Sequence, residues 1–412
     1  MKNGFLQEMQ DRGFLNQCTD FNKLGEICNK KAISGYIGFD CTASSLHVGS
    51  LLQIMILKLM QKYGHRPIVL LGGGTTLIGD PSGKDSTRKI LEQSEIKNNI
   101  KSIKKVFNKI LDTSNENTSP VFVDNADWLT KLNYIQFLRD TGSHFTINKM
   151  LTFDSVKLRL DREQSLSYME FNYMILQAYD FYQLFKKNNC ILQIGGSDQW
   201  GNIVNGVDLI RRKLQKEAYG LTSPLITLAS GAKMGKTENG AIWLNEDKLS
   251  PYDYWQFWRN TDDRDVKRFL NFFTEIQPKK LNEIINNEKN INNLKVLLAN
   301  EATKILHGEE ASEKAEKTAK DTFEGKGLGS GLPEIIIKSN EVEKGINILD
   351  FISKNKILSS KSEARRVIAN KGLKINGTII DDEKKLIRFK DFKDNVFKLS
   401  YGKKKHYLIK II

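Results

Sequence analysis

Short apolar runs and longer segments with helical spacing follow one another along the first half of the chain. The apolar runs lie at residues 33–39, 67–71, 121–125 and 190–194, mostly bounded by proline, glycine or polar residues, which is typical of buried parallel strands. Helical spacing begins at Leu51 and again at Tyr168, in segments without glycine or proline. This alternation predicts an α/β domain built on a parallel sheet.

The second half of the chain changes character twice. Residues 251–307 keep a helical pattern and carry an aromatic cluster that we expect in a core. A charged segment at 309–324 predicts an exposed helix, and the glycine-rich stretch 325–331 predicts a flexible hinge. We expect an α/β domain at 1–222 with an insertion at about 121–185, a helical domain at 223–325, a linker at 326–345 and a small α+β domain at 346–412.

Composition and charge narrow the class of protein. No apolar run approaches the length of a membrane span, and the first ten residues lack the features of a signal or transit peptide, so a cytoplasmic protein is expected. The four cysteines include no Cys-x-x-Cys pair, which argues against a zinc site and a disulfide framework. Of the net charge of +14, residues 346–412 carry 17 Lys and Arg against 7 Asp and Glu. A basic domain of this kind favours a nucleic-acid partner.

One segment, residues 36–50, has the pattern of a strand, a loop and the start of a helix. Asp40 and Thr42 supply turn chemistry in the loop, and His47-Val-Gly-Ser50 opens the helix. A strand that leads into a helix N-terminus is suited to binding an anion. Such units occur in most α/β proteins, so the segment alone does not decide a function.

Polar residues also follow other predicted strands. Glycine-rich loops with Asp80 and with Asp198 come after the second and the fourth apolar run, and neither the P-loop nor the dinucleotide pattern fits the first of them. Tyr173, Gln177 and Asp180 share one face of a helix that is otherwise apolar. This polar stripe indicates either a buried hydrogen-bond network or a wet pocket.

Five motifs in order, over roughly residues 30–412, resemble the class I aminoacyl-tRNA synthetases and, within them, the tyrosyl branch. His47-Val-Gly-Ser50 resembles their first signature, usually His-Ile-Gly-His, and Lys233-Met-Gly-Lys-Thr237 resembles the second, usually Lys-Met-Ser-Lys-Ser. The segment at 36–40, the loop with Asp80 and the helix with Asp180 are similar to the tyrosyl pocket. Near the C-terminus, 360–366 and 374–377 resemble a small RNA-binding fold shared with a ribosomal protein.

The resemblance implies a Rossmann-like catalytic domain, a helical anticodon-binding domain and an insertion that builds a homodimer. It implies that tyrosine reacts with ATP and Mg²⁺ to give tyrosyl-adenylate, and that the tyrosyl group passes to the 3′-terminal adenosine of tRNA(Tyr), with no metal ion held by the protein. The tyrosine-binding residues that it assigns are Tyr36, Asp180, Tyr173, Gln177, Asp80 and Gln199. The catalytic residues are His47, Thr42, Lys233, Lys236, Lys84 and Arg88. Further ATP contacts are assigned to Gly38, Asp40, Ser50, Gly195 and Asp198. The tRNA contacts are Arg211, Arg212, Asp263, Lys361, Arg365 and Arg366.

Two departures from the family pattern, and two rival functions, stay open. Ser50 stands where the first signature ends in His, so we expect weaker ATP binding, and Cys41 replaces a usual proline. One rival is a synthetase-derived RNA-binding factor with little or no activity, and the missing second His is its only support. The other is a tryptophan enzyme, against which Tyr36 and Asp180 argue, because both would lack a phenol to bind.

Overall fold

The computed structural model describes residues 4–80, 91–231, 234–237, 240–323, 332–358, 360–402 and 405–412. The chain forms two compact units, one of Met1–Leu249 with Phe257–His307 and one of Ser250–Gln256 with Gly308–Ile412. None of the helices in these described ranges is long and apolar enough to cross a membrane.

A six-stranded sheet is the centre of the first unit. Its strands are β1 (Gln17–Cys18), β2 (Ser34–Phe39), β3 (Arg66–Leu71), β4 (Val121–Asp124), β5 (Cys190–Gly196) and β6 (Tyr219–Ser223), in the order β1-β6-β5-β2-β3-β4. All neighbours pair in parallel except β1 with β6. The predicted strands are confirmed. Because β3 and β5 flank β2 on opposite sides, the strand order reverses there, where open α/β sheets leave a crevice at the strands' carboxyl ends.

Helices surround this sheet and continue beyond it. Up to residue 214 they are α1 (Phe5–Asp11), α2 (Phe21–Lys30), α3 (Leu51–Lys62), α4 (Gln93–Ile110), α5 (Ala126–Leu129), α6 (Tyr134–Asp140), α7 (Ile147–Met150), α8 (Asp154–Asp161), α9 (Tyr168–Asn188) and α10 (Trp200–Leu214). A short two-stranded sheet, β7 (Lys236–Thr237) with β8 (Gly240–Ala241), follows. Next come α11 (Pro251–Arg259), shared between the units, α12 (Asp263–Phe273), α13 (Pro278–Asn287) and α14 (Ile291–His307).

Two of these helices position the functional side chains. α3 follows directly from a short 3-10 turn at Val48–Ser50 and buries most of its residues, because Leu, Ile and Met occupy nearly every side. α9 begins with a capping box in which the Ser167 hydroxyl accepts from the Glu170 N–H and the Glu170 carboxylate accepts from the Ser167 N–H. It ends at Asn189, whose left-handed conformation closes the last turn. The predicted buried helix is confirmed.

The second unit contains a separate α+β core. Its elements are α15 (Glu309–Phe323), β9 (Glu334–Ile337), α16 (Ser339–Lys344), β10 (Ile346–Asn347), α17 (Ile348–Lys354), α18 (Lys361–Ala369), β11 (Leu373–Ile375), β12 (Thr378–Ile379), β13 (Leu386–Ile387), β14 (Val396–Tyr401) and β15 (Lys405–Ile411). The five-stranded sheet has the order β12-β11-β14-β15-β9. α15 is less exposed than predicted, since Ala315 and Ala319 are buried. The predicted hinge at 325–331 lies outside the described residues.

Candidate active site

A cavity of about 640 Å³ opens at the carboxyl ends of β2, β3 and β5. Side chains from all three loops predicted to bind a ligand line it, together with residues of α9 and of the segment around Trp243. The predicted residues that it brings together are Tyr36, Gly38, Asp40, Thr42, His47, Ser50, Asp80, Tyr173, Gln177, Asp180, Gly195, Asp198 and Gln199. The polar stripe on α9 therefore faces a pocket, and Gln177 and Asp180 also accept hydrogen bonds from neighbouring side chains, so both alternatives that the sequence left open are met.

Tyr36 and Asp180 form the most buried pair in this cavity. Each side chain is about 1 % exposed. The Asp180 carboxylate accepts hydrogen bonds from Trp128 Nε1 at 2.7 Å and from Asn125 Nδ2 at 2.8 Å. The Tyr36 hydroxyl, in contrast, has no hydrogen-bond partner among the described residues. A buried hydroxyl without a partner is costly, so this group is suited to a ligand that supplies one.

Burial also changes the ionisation of the pair. It raises the pKa of Asp180 to about 7, although the hydrogen bonds from Asn125 and Trp128 act in the opposite direction. Burial, followed by the nearby Asp180 carboxyl, raises the pKa of Tyr36 well above its ordinary value. Tyr36 is therefore a hydroxyl that can donate, while Asp180 changes from acid to carboxylate near neutral pH.

A connected amide network lines another part of the cavity. Gln199 Nε2 donates to the Asp80 carboxylate at 2.9 Å. The buried Asn202 side chain donates from Nδ2 to Gln177 Oε1 and to Gln199 Oε1, both at 3.0 Å. Asn202 thus fixes the orientation of both glutamines, and with them of Asp80. The arrangement holds a carboxylate and two amide oxygens together, which suits a positively charged group.

His47 lies where the two predicted signatures meet. Its Nδ1 accepts a hydrogen bond from the Gly49 N–H at 3.0 Å. In a neutral imidazole the proton is then on Nε2, which makes that atom the donor. Backbone pairing surrounds the histidine, since the Val48 N–H donates to the Ile242 carbonyl at 2.9 Å and the Leu244 N–H to the Leu46 carbonyl at 2.9 Å.

Two glycines, Gly49 and Gly235, allow this contact. A Cβ added at Gly49 would lie 2.6 Å from His47 Cε1 and 2.8 Å from the Met234 carbonyl oxygen. At Gly235 it would lie 2.4 Å from His47 Nδ1, and the backbone there has a φ of +102°. Only glycine fits these positions without displacing the imidazole. The first and second signatures, distant in sequence, are therefore packed against each other.

Several predicted residues cannot be placed in this way. Lys84, Arg88 and Lys233 lie outside the described residues, and Lys236 is placed only as the first residue of β7. Of the expected tRNA contacts, Arg211 pairs with Asp208 at 2.9 Å and Arg212 donates to the His144 carbonyl. Asp263 pairs with Lys295, Lys361 with Asp350, and Arg365 with Glu383. All six expected tRNA contacts, Arg366 included, are exposed, and none is among the described residues that line the cavity.

Comparison of the chain with known proteins finds two matching family models. The model of class I tRNA synthetases (W and Y) matches residues 28–324, and that of the tyrosine–tRNA ligase SYY-like C-terminal domain matches 326–409. The chain belongs to the class I tRNA synthetases. The family confirms the expected fold class of a class I catalytic domain followed by helices and a C-terminal sheet domain.

Relatives of this synthetase match it over their whole length. The chain is 61 % identical to the tyrosine–tRNA ligase of Pelagibacter ubique over 410 residues, covering 100 % of both. It is 50 % identical to that of Rickettsia massiliae, covering 99 % of this chain and 100 % of the relative. A solved structure of a C-terminally truncated Aspergillus nidulans mitochondrial tyrosyl-tRNA synthetase aligns with a TM-score of 0.69 at 28 % identity, covering 77 % of this chain and 93 % of that one.

Sequence reasoning missed four residues of this synthetase site. Asn125 and Trp128 hold Asp180, Asn202 links the glutamines, and Gln193 places a buried Oε1 in the cavity with no partner in the described part of the chain. Asn125 directly follows β4, so the rule that ligands bind at strand ends could have found it. The other three gave no signal, because a lone Trp, Asn or Gln near an element is ordinary.

Proposed function

We propose that this chain activates L-tyrosine with ATP to tyrosyl-adenylate and then transfers the tyrosyl group to tRNA(Tyr). The full-length relatives named above are tyrosine–tRNA ligases, and no comparison favours a synthetase that has lost its activity. The single observation that carries the choice of substrate is the buried pair of Tyr36 and Asp180.

Tyrosine recognition follows from the hydrogen bonds that this pair can make. A phenol hydroxyl is one donor and one acceptor. The Asp180 carboxylate would accept from it, and the unpartnered Tyr36 hydroxyl would donate to it. Phenylalanine leaves the buried Tyr36 hydroxyl without a partner, which costs roughly 1–3 kcal/mol, and leaves the Asp180 carboxylate with only the hydrogen bonds from Asn125 and Trp128. Tryptophan likewise supplies no hydroxyl at this point.

The amino group of the substrate has an equally definite candidate partner. Asp80 is the carboxylate of the amide network, and Gln177, Gln199 and Tyr173 line the same cavity. We infer that they bind the ammonium group. Since Asn202 holds both glutamines, their oxygens are oriented before the substrate arrives, which lowers the entropy cost of binding.

The first reaction needs no nucleophile from the protein. A tyrosine carboxylate oxygen attacks the α-phosphorus of ATP, the new P–O bond forms, and the bond to the leaving pyrophosphate breaks. The rate then depends on positioning and on stabilising charge. The Nε2–H of His47 would donate to the phosphate as charge develops, and Thr42 lines the same cavity.

The remaining phosphate contacts and the metal ion are assigned by family pattern. Lys233, Lys236, Lys84 and Arg88 would neutralise the leaving pyrophosphate, and Gly38, Asp40, Ser50, Gly195 and Asp198 would contact the nucleotide. Mg²⁺ would enter as MgATP, since it usually binds through substrate phosphates and water.

For tRNA, we propose contacts on both units. The last 67 residues, with 17 Lys and Arg against 7 Asp and Glu, carry most of the net positive charge. Lys361, Arg365 and Arg366 are exposed on α18. Arg211, Arg212 and Asp263 are the corresponding proposals on the first unit. If the arginines and lysines contact phosphates, the affinity for tRNA should fall steeply as the salt concentration rises.

We further propose a cytoplasmic homodimer formed through the insertion at about 121–185. Seven of the twelve exposed large hydrophobic side chains in the described ranges lie there: Tyr134, Ile135, Ile147, Leu151, Leu158, Leu160 and Tyr168. This concentration of exposed apolar side chains in one segment would suit an interface with a second copy of the chain. Sedimentation of the purified chain tests this, and a monomer at micromolar concentration would overturn it.

ATP–pyrophosphate exchange without tRNA tests the activation step. Purified chain is assayed with tyrosine, phenylalanine and tryptophan in turn, followed by aminoacylation of tRNA(Tyr) transcript. Exchange that depends on tyrosine alone is expected. Exchange with tryptophan, or none from folded protein, would contradict the proposal.

A further inference from the structure

Helix α12 holds the segment that leads to the second signature. The Asp265 side chain, 5 % exposed, accepts at Oδ2 from the backbone N–H of Ala229 at 2.7 Å. Its Oδ1 accepts from Arg268 Nη2 at 2.6 Å, and the same Nη2 donates to the Thr227 carbonyl. Asp265 and Arg268 lie one turn apart on the same helix. Asp265 binds a backbone donor and Arg268 a backbone acceptor of one short stretch, residues 227–229.

This stretch begins what we call the signature loop, residues 226–242. The Met234 N–H donates to the Ile226 carbonyl at 3.0 Å, so the part bound by α12 also fixes the described residue next to Lys233. At the other end, the Ile242 N–H donates to the Gly235 carbonyl at 3.2 Å, and Gly235 packs on His47. The loop thus has one anchor at the first signature and one at α12.

The anchor on α12 is itself firmly placed. Val266, Phe269 and Phe273 are buried along one side of the helix. At its C-terminal end, Arg12 Nη1 donates to the Thr274 carbonyl at 2.9 Å and to the Asn271 carbonyl at 3.0 Å. The Asp265 carboxylate lies in the first turn of α12, where the helix dipole stabilises negative charge. A carboxylate fixed in this way can hold the loop without moving.

We propose that Asp265, oriented by Arg268, is a positioning residue for the signature loop. This inference rests on the proposed function, because the signature loop carries the lysines expected to bind pyrophosphate. Asp265 is not among the described residues that line the cavity. Its effect must therefore reach ATP through the loop and leave the tyrosine pocket unchanged.

The test measures exchange with ATP and tyrosine varied separately. Asp265→Ala removes the acceptor of the Ala229 N–H and should lower kcat/KM for ATP roughly 10- to 100-fold, the scale of misplaced reacting groups. The KM for tyrosine and calorimetric tyrosine binding should stay within about twofold of wild type. Asp265→Asn keeps one carbonyl acceptor and should recover most of the loss.

Matched controls separate positioning from folding. Glu283→Ala removes an exposed acid on the neighbouring α13. It should match wild type in kcat/KM for ATP and in KM for tyrosine. The positioning role is wrong if Asp265→Ala weakens calorimetric tyrosine binding as much as it lowers kcat/KM for ATP, or if it does not lower kcat/KM for ATP. Either result would leave the tyrosine-dependent activity of the wild type standing. Wild-type protein without tyrosine-dependent exchange would overturn the proposed function, and this inference with it.

Discussion

Replacing Trp128 by Phe tests how the enzyme keeps Asp180 ready for its substrate. The substitution retains an aromatic ring but removes the Nε1–H that donates to the Asp180 carboxylate at 2.7 Å. Trp128 is 6 % exposed and is not among the described residues that line the cavity, so its effect on tyrosine should pass through Asp180.

The expected size follows from the energy of that hydrogen bond. Hydrogen bonds to charged groups contribute roughly 1.5–3 kcal/mol, which corresponds to about one to two pKa units. The pKa of Asp180, raised by burial to about 7 in the wild type, should therefore rise to about 8–9 in the variant. If the carboxylate is the form that accepts from the phenol, kcat/KM for tyrosine should fall about 5- to 50-fold at pH 7 but no more than about twofold at pH 9.

Pyrophosphate exchange measured from about pH 6 to pH 9 checks this, since the tyrosine phenol, with a pKa of about 10, stays largely protonated over that range. In the wild type, kcat/KM for tyrosine should rise with pH, reach half its maximum near pH 7 and level off above about pH 8. In Trp128→Phe the rise should move to higher pH. The KM for ATP should not change. An equal loss at every pH would mean that the indole acts by packing alone, and would refute this account of Asp180.

Three further predictions test other parts of the structure. Ser50→His should lower the KM for ATP, because the imidazole extends into the cavity that Ser50 lines; identical KM and kcat would show that Ser50 does not limit nucleotide binding. Ile147→Asp, at a side chain 59 % exposed in the insertion, should shift the sedimenting species from dimer to monomer, whereas an exposed Lys131→Asp control should not. Glu8→Ala should cost about 3–5 kcal/mol of stability at pH 7, as expected when a buried ion pair loses one partner. Burial raises the pKa of Glu8, but hydrogen bonds from Lys62, Tyr63 and Arg12 outweigh it and hold the pKa below its usual value. The stabilisation by Glu8 is therefore present above about pH 4.5 and is lost as the pH falls. Melting temperatures of variant and wild type should converge in acid, and a difference that stays constant with pH would contradict the reasoning.

The sequence predicted elements whose pattern is local and periodic. Strands β2 to β5 and helix α9 were found because apolar runs and helical spacing depend on near neighbours along the chain. The partial burial of α15 was missed, since the alanines that it buries are as common on exposed helices as on packed ones. Burial of a helix face is set by what packs against it, and no local pattern contains that information.

The candidate site divides in the same way. Residues that belong to a motif, such as His47 and Asp180, were predicted and do line the cavity. Asn202 and Trp128 were not, because each acts on another side chain across the fold and leaves no spacing to recognise. Such supporting residues can be identified only once the hydrogen bonds of the folded chain are known. The ionisation of Asp180 and the orientation of Gln177 depend on them.

The second signature also departs from its usual form, at a position that lies against His47. The second signature has Gly235 where serine is usual, and here any Cβ would lie 2.4 Å from His47 Nδ1. That nitrogen already accepts from the Gly49 N–H, so a side chain at position 235 would displace the ring and the hydrogen bond that places its proton on Nε2. The absence of a Cβ at Gly235 therefore leaves room for the His47 ring in the orientation that it has here. No comparable contact explains Ser50, whose hydroxyl makes no capping hydrogen bond within the described residues.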